Sequence, residues 1–251
     1  MDFELLLVLL TVGTGLVWAW DRWLRRREGI DRDRDPWYID LPRSLFPIIL
    51  IVLIIRSFVA EPFRIPSGSM LPTLQNGDFI LVNKAAYGLR LPVLRDRVLG
   101  DGEPERGDVA VFRYPPDPSQ DYIKRIIGLP GDEIRYEDRT FYINGEPLEQ
   151  GEARPYTGGR AQGPAEVREE HADGRQYEIL HHEEARSPSF TYTVPEDEYF
   201  AVGDNRDRSQ DSRAWGAVSD DHLAGRAFLI WMSWDSQHDR IAWDRIGQRI
   251  E

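Results

Sequence analysis

The sequence predicts a mainly β protein: two N-terminal transmembrane helices followed by an antiparallel β domain. Three observations carry that expectation. The first sixty residues hold two apolar tracts, whereas the rest of the chain is charged and rich in glycine and proline. The later region breaks into short apolar-leaning segments punctuated by Gly-Asp and Asn-Gly pairs, the punctuation expected between strands. It shows no long amphipathic helix, no strand–helix–strand rhythm and no internal repeat.

The first tract, Leu5 to Trp20, carries no charge and as a helix is about 24 Å long, a crossing that flanking residues complete. A cleaved leader begins with basic residues. Here Asp2 and Glu4 come first and the arginines follow, so a retained anchor is expected over 1–22, with Trp18, Trp20 and Trp23 at the interface. The second tract, Leu45 to Ile55, extends from Leu41 to Ala60 if Arg43 and Arg56 snorkel outward. It forms a second anchor over 44–60, with Pro47 near its start. The intervening segment, 23–43, is rich in arginine (Arg25, Arg26, Arg27, Arg32, Arg34 and Arg43, with Arg22 just before it), which predicts a cytoplasmic loop. The N-terminus and residues 61–251 then face the opposite side, which is the periplasm for an inner-membrane protein of a Gram-negative cell.

Within 61–251, strands are expected at Phe79–Asn83, Val109–Phe112, Tyr122–Ile127, Ile134–Tyr136 and Thr140–Ile143. The polar stretch between Gly151 and Pro188 reads as an extended hairpin or loop excursion without chemistry. Residues 1–60 are charge-balanced, so the net charge of −12 comes entirely from the later domain, with 23 basic against 35 acidic groups. Such a domain repels a phosphate backbone, and nucleic acid is not an expected partner. Cysteine is absent, which removes disulfides, thiol nucleophiles and Cys-ligated metals, and no cofactor or metal is expected.

The stretch RIPSGSMLPTL, Arg64 to Leu74, holds two serines between Pro66 and Pro72, with Gly68 allowing close backbone approach. Composition alone makes this a turn more readily than a nucleophile loop. A serine nucleophile needs a base. The five histidines lie far along the chain and none sits in a compact polar motif; His181 and His182 fall in the charged excursion and are expected to be solvated. Triad members need not be adjacent in sequence, so this does not dispose of a Ser-His-Asp arrangement. Of 31 basic residues only Lys84 and Lys124 are lysines, the cationic type that becomes a base when its environment is arranged for it. At an ordinary pKa near 10.4 only about one lysine in a few thousand is neutral at pH 7, so burial must supply the activation. Alternation on a strand places Lys124 on one face with Tyr122 and Ile126. Lys84, in FILVNKAAYG, has similar neighbours, and spacing does not choose between them.

The ordered set PSGSMLPTL, GDFILVNK, YIKRIIGLPGD and GDNRDRSQDSRAWG, behind two leading spans, resembles the bacterial type I signal peptidases, the Ser-Lys dyad family. The resemblance covers nearly the whole chain and is weakest at 151–188. It implies a membrane-bound serine endopeptidase that removes signal peptides from exported preproteins after small residues of the Ala-x-Ala type. Residue by residue, it makes Ser69 the nucleophile and Lys124 the general base. Ser67 and the Ser69 N–H become the oxyanion donors, and Ser209 the hydroxyl that orients the lysine. Asp204, Asp211 and Arg213 form a supporting shell, while Phe63, Ile65, Leu74 and Ile123 surround the substrate pockets. The dense run of Asp204, Arg206, Asp207, Arg208, Asp211 and Arg213 is expected to pack around Ser209 rather than lie as an exposed salt-bridged turn. The lipid bilayer is an implied partner, as is proximity to the export translocon. Trp215, Trp231, Trp234 and Trp243 are divided between core packing and an interfacial patch. Two other readings stay open: a peptidase specialised for one pilin or conjugation substrate, and a membrane-anchored binding module without hydrolysis. A β-lactamase-type enzyme is disfavoured because Ser-x-x-Lys and Lys-Thr-Gly are missing.

Overall fold

The computed structural model describes residues 3–28, 36–91, 97–158, 163–183 and 188–251; Arg32 and Arg34 of the basic loop lie outside them. The chain divides into two compact units, Met1–Glu61 with Gly88–Gly100, and Pro62–Tyr87 with Asp101–Glu251.

In the first unit, helix α1 (Phe3–Glu28) and helix α2 (Trp37–Ile54) are both long and apolar enough to cross a membrane. Their outward faces are apolar, with Leu9, Leu16, Ile48 and Ile51 exposed, as a lipid-facing surface requires. They meet where Gly15 leaves room for Phe46: a Cβ at Gly15 would come within 2.8 Å of that ring. Trp18 packs on the same ring at 5.4 Å. Asp21 accepts hydrogen bonds from Arg25 at 2.8 Å and from Arg43 at 3.3 Å, so one carboxylate offsets part of the charge of two arginines. Pro47, expected near the start of its span, instead lies inside α2 together with Pro42. The helix begins earlier, just after Pro36, whose φ of −58° is already helical and whose missing N–H costs nothing at a helix start. A π turn over Ile55–Val59 ends the helix.

The second unit is a β domain. In chain order the strands are β1 (Ala60–Arg64), β2 (Asp78–Asn83), β3 (Leu89–Arg90), β4 (Arg97–Leu99), β5 (Val109–Arg113) and β6 (Asp121–Gly128), of which β3 and β4 pair within the first unit. Then come β7 (Glu133–Glu137), β8 (Thr140–Ile143), β9 (Glu146–Pro147), β10 (Arg154–Pro155), β11 (Ala165–Ala172) and β12 (Arg175–His182). The last are β13 (Phe190–Thr193), β14 (Glu198–Val202), a short helix α3 (Ser212–Trp215), β15 (Val218–Ser219), β16 (Leu223–Asp235) and β17 (Arg240–Ile241).

All five expected strands are present, as β2, β5, β6, β7 and β8. The main sheet runs β1-β2-β16-β5-β6-β14-β15, with β17 on the end of β16. A second sheet orders β13-β7-β8-β9, its hairpins closed by two-residue turns at Asp138-Arg139 and Asn144-Gly145, all with positive φ. The polar excursion forms the hairpin β11–β12, turned by Asp173-Gly174, with β10 alongside; residues 159–162 and 184–187 of it lie outside the described residues.

One apolar cluster joins Ile65, Met70, Leu74, Ile80, Val82, Val109, Val111, Ala227 and Ile230 behind the serine loop, and a second fills the space under β7 and β8. Tryptophan use is split. Trp215 packs on Phe112 and Tyr114 at 5.8 and 5.9 Å, while Trp231, Trp234 and Trp243 are exposed.

Candidate active site

Strand β6 is paired on both sides, with Ala110 of β5 opposite Lys124 and Val202 of β14 opposite Arg125. Both faces of this strand are covered, so the consecutive residues Lys124 and Arg125 are both buried, the lysine 4% exposed. Lys124 Nζ donates to Ser69 Oγ at 2.8 Å and to the Ile123 carbonyl at 2.9 Å. The Tyr122 ring, from the same strand face, lies 5.3 Å from the amine. Burial lowers the lysine pKa to about 8. Asp211 and Asp204 pull it up, Arg213 pushes it down, and desolvation outweighs them. At pH 7 about one such amine in ten is neutral, and at this distance from a hydroxyl that fraction can take its proton. Lys84, the other lysine, sits half-buried in the turn after β2 and does not line the serine cleft.

Ser69 is presented by the loop after β1. The Leu74 N–H donates to the Met70 carbonyl at 2.8 Å, folding the loop over the apolar cluster in which Met70 and Leu74 are fully buried. Ser67 is exposed, its Oγ 3.4 Å from Ser69 Oγ. A cleft of about 750 Å³ opens here, lined by Ser67, Ser69, Tyr122, Ile123, Lys124 and Asn205 among others. Phe63, Ile65, Leu74 and Ile123 belong to one apolar cluster. Ile65 and Leu74 are buried, so they back the cleft, and of the four only Ile123 is among its lining residues.

Most of the charged run GDNRDRSQDSR packs inward, with Asp204, Arg206 and Asp211 buried, but Arg208, expected to pack with them, is exposed. Asp204 is completely buried and takes two hydrogen bonds from the Arg125 guanidinium, both 2.8 Å, and one from Thr73 Oγ1 at 2.5 Å. Arg125 also donates to the carbonyls of Gly107 and Glu251 and stacks 3.8 Å over the Tyr177 ring. Asp211 accepts from Arg213 Nε and Nη2 at 2.8 Å each and from the Gly203 N–H at 3.0 Å. The Arg213 bonds carry its carboxyl below the usual range against the burial that raises it. Arg206 and Glu170 form a fully buried bidentate pair, and Tyr177 and Gln150 donate to the same carboxylate. Gly203 is required by close approach: a Cβ there would come 2.2 Å from Ser209 Oγ and 2.5 Å from the Ser69 carbonyl.

Ser209 is next to the serine loop but makes no hydrogen bond to Lys124. Its buried hydroxyl has no hydrogen-bonding partner at good geometry, and its pull on Asp211 is the weakest of the groups that lower that carboxyl. The histidine expectation fails. His181 and His182 are buried rather than solvated, because the segment Asp204–Arg206 bonds alongside the end of β12 through Leu180 N–H to Asp204 O and Arg206 N–H to Leu180 O. Burial lowers both imidazoles, so both rings are held neutral near pH 7. Sequence reasoning also missed Asn205, which donates from Nδ2 to the Gly68 carbonyl at 2.9 Å and from its backbone N–H to the Ser69 carbonyl at 3.1 Å. An asparagine between Asp204 and Arg206 signals a turn; nothing in its neighbours reveals where the amide reaches. Among the described residues no cluster of His, Asp or Glu is arranged to hold a metal ion.

A family model described as "Signal peptidase, peptidase S26" matches residues 38–234. Signal peptidase I of Pseudomonas fluorescens is 47% identical over 218 residues, covering 80% of this chain and 75% of that protein. Signal peptidase I of Pseudomonas aeruginosa is 45% identical over 216 residues, with the same coverage of 80% and 75%. A crystal structure of a signal peptidase I from Enterococcus faecalis shares 32% identity at a TM-score of 0.34, covering 49% of this chain and 96% of that one; the fold described above does not lean on it. The span of the family match and the identity to relatives covered over most of their length give one conclusion: the chain belongs to the signal peptidase I family, peptidase S26, and is a membrane-bound serine endopeptidase that cleaves signal peptides.

Proposed function

We propose that Ser69 is the nucleophile of this endopeptidase and Lys124 its general base. The observation that carries the proposal is the 2.8 Å contact between Ser69 Oγ and an amine that is almost wholly buried. In this reading neutral Lys124 takes the Ser69 proton as Oγ bonds to the scissile carbonyl carbon. The negative charge on the carbonyl oxygen is met by the Ser67 hydroxyl and the Ser69 N–H. The Lys124 ammonium then protonates the leaving amine, the C–N bond breaks, and an ester to Ser69 remains. Lys124, neutral again, deprotonates the water that hydrolyses it. Asp204, Asp211 and Arg213 hold the backbone around Gly203 against the serine loop. Ser209 supports the lysine from beside Gly203 rather than through a bond in the resting enzyme.

The cleaved segment lies extended along the cleft and adds a strand at a sheet edge, so backbone hydrogen bonds hold peptides of differing sequence. Ile123 on the wall, backed by Phe63, Ile65 and Leu74, admits alanine-sized side chains before the cut and excludes larger ones by overlap. The basic segment 23–43, which takes in the end of α1 and the start of α2, is cytoplasmic, and the unit that carries Ser69 is periplasmic, at the face where preproteins leave the translocon. The acidic domain repels a phosphate backbone, so nucleic acid is not an expected partner. Cleavage of an Ala-x-Ala precursor by the full chain in detergent tests the assignment. Ser69→Ala and Lys124→Ala should each abolish turnover, and the rate should climb about tenfold per pH unit up to a break near 8, as the neutral amine fraction grows. Turnover by either variant, or a flat profile from pH 5 to 9, overturns it.

A further inference from the structure

The β11–β12 hairpin ends in a contact that the catalytic reading leaves unused. His182 Nε2 lies 3.1 Å from Asn205 Oδ1, and the same side-chain amide donates to the Gly68 carbonyl at 2.9 Å. An amide oxygen only accepts, so His182 must donate from Nε2. The tautomer fits, because Nδ1 is buried without a partner and an unbonded lone pair there costs less than an unbonded N–H. The opposite amide orientation would set Asn205 Oδ1 against the Gly68 carbonyl oxygen, two acceptors facing each other.

The bond to Gly68 matters because of what lies across the peptide. The Gly68 carbonyl and the Ser69 N–H share one planar trans unit and point in opposite directions. Holding the carbonyl toward Asn205 therefore turns the Ser69 N–H the other way. The next peptide is held too, by the Asn205 N–H on the Ser69 carbonyl at 3.1 Å. Asn205 is itself fixed on both sides of the chain, where Asp204 and Arg206 bond to Leu180, and by the Arg206–Glu170 pair from β11. We propose that His182, acting through the Asn205 side chain, is a positioning residue that sets the plane of the Gly68–Ser69 peptide and so aims the Ser69 N–H at the oxygen of the substrate carbonyl. The inference rests on the reading of Ser69 as nucleophile and oxyanion donor.

A positioning role differs from a packing role in its kinetics. His182→Leu keeps bulk but removes the donor, whereas His182→Gln places an N–H near the original Nε2. Leucine should lower kcat about tenfold and leave KM within about twofold, since a misaimed donor fails mainly in the transition state. Glutamine should recover most of that loss. If leucine does not fold, the near-isosteric Asn205→Asp decides, because it cannot donate to Gly68; kcat should again fall about tenfold or more. A leucine variant with kcat intact, equal losses for leucine and glutamine, or an aspartate variant of full activity each overturn the inference. Ser69→Ala and Lys124→Ala run beside them separate the two failures: activity surviving in those controls sinks the catalytic reading itself, whatever His182 does.

Discussion

The burial that activates Lys124 must also destabilise the fold, and that cost can be read directly. The amine loses its proton near pH 8 in the native chain and near 10.5 in the unfolded one. Between those values the unfolded chain binds more protons, so stability rises with pH across the window; below 8 both states are protonated and the whole cost is present. The interval from about 8 to 10.5 corresponds to about 3 kcal/mol. Lys124→Met keeps an unbranched side chain of similar length and removes the charge. It also removes the hydrogen bonds to Ser69 Oγ and the Ile123 carbonyl, which together offset about 1 kcal/mol because the cleft gives Ser69 water instead. A net gain of about 2 kcal/mol at pH 7 follows, or about 4–8 °C in midpoint for a domain of this size. The assay is thermal unfolding of the full-length protein in detergent, wild type against variant, at pH 7 and pH 10. The gap should close at the higher pH. A variant that is inactive but no more stable at pH 7, or a gap that persists unchanged at pH 10, refutes desolvation as the source of the activation.

Three further outcomes follow from the same geometry. Gly203→Ala drives a methyl into Ser209 Oγ and the Ser69 carbonyl and should reduce kcat at least about a hundredfold, measured on a soluble peptide, while the fold survives by circular dichroism. Arg206→Met strands the Glu170 carboxylate in the interior and should cost about 3–5 kcal/mol in denaturant unfolding, most of it recovered when Glu170→Met is added. A form beginning at residue 61 should hydrolyse short peptides at a rate near that of the full chain but process membrane-held precursors at least about tenfold more slowly, because it no longer shares a surface with them; equal rates on both would refute the anchoring argument.

Much of the fold was legible in local chemistry. The strands β7 and β8 are short because Asp138-Arg139 and Asn144-Gly145 turn the chain with left-handed backbone, and residues of these types announce such turns. Both spans were visible as uncharged tracts. The start of α2 was not: Trp37, Tyr38 and Asp40 are polar-edged and read as loop, yet the helix continues through them because Pro36 starts it. At the site, the sequence limited the amine bases to two lysines, and period-two alternation put Lys124 beside Tyr122. What it could not supply was the cover over that face, which comes from strands and loops tens of residues away.

The larger misreading concerned charge. The 151–188 excursion looks solvated because its residues are polar, and on that ground His181 and His182 belong in water. Yet Glu170 is completely buried, satisfied by Arg206, Tyr177 and Gln150, and Arg125 and Asp204 are buried by the same logic. Charge density in a sequence reports exposure only when partners are absent, and partners drawn from distant segments leave no local trace. The consequence for this enzyme is specific. A lysine with a low pKa needs its surroundings dry, and an apolar lining alone would not hold the serine loop in register with it. Paired charges do both, since Arg125 and Asp204 exclude water at full burial while their hydrogen bonds fix Thr73, Gly107 and the backbone that meets Ser69. Charged residues that look soluble in the sequence, Arg125 on β6 and Asp204 after β14, are therefore part of the buried packing that holds the serine loop.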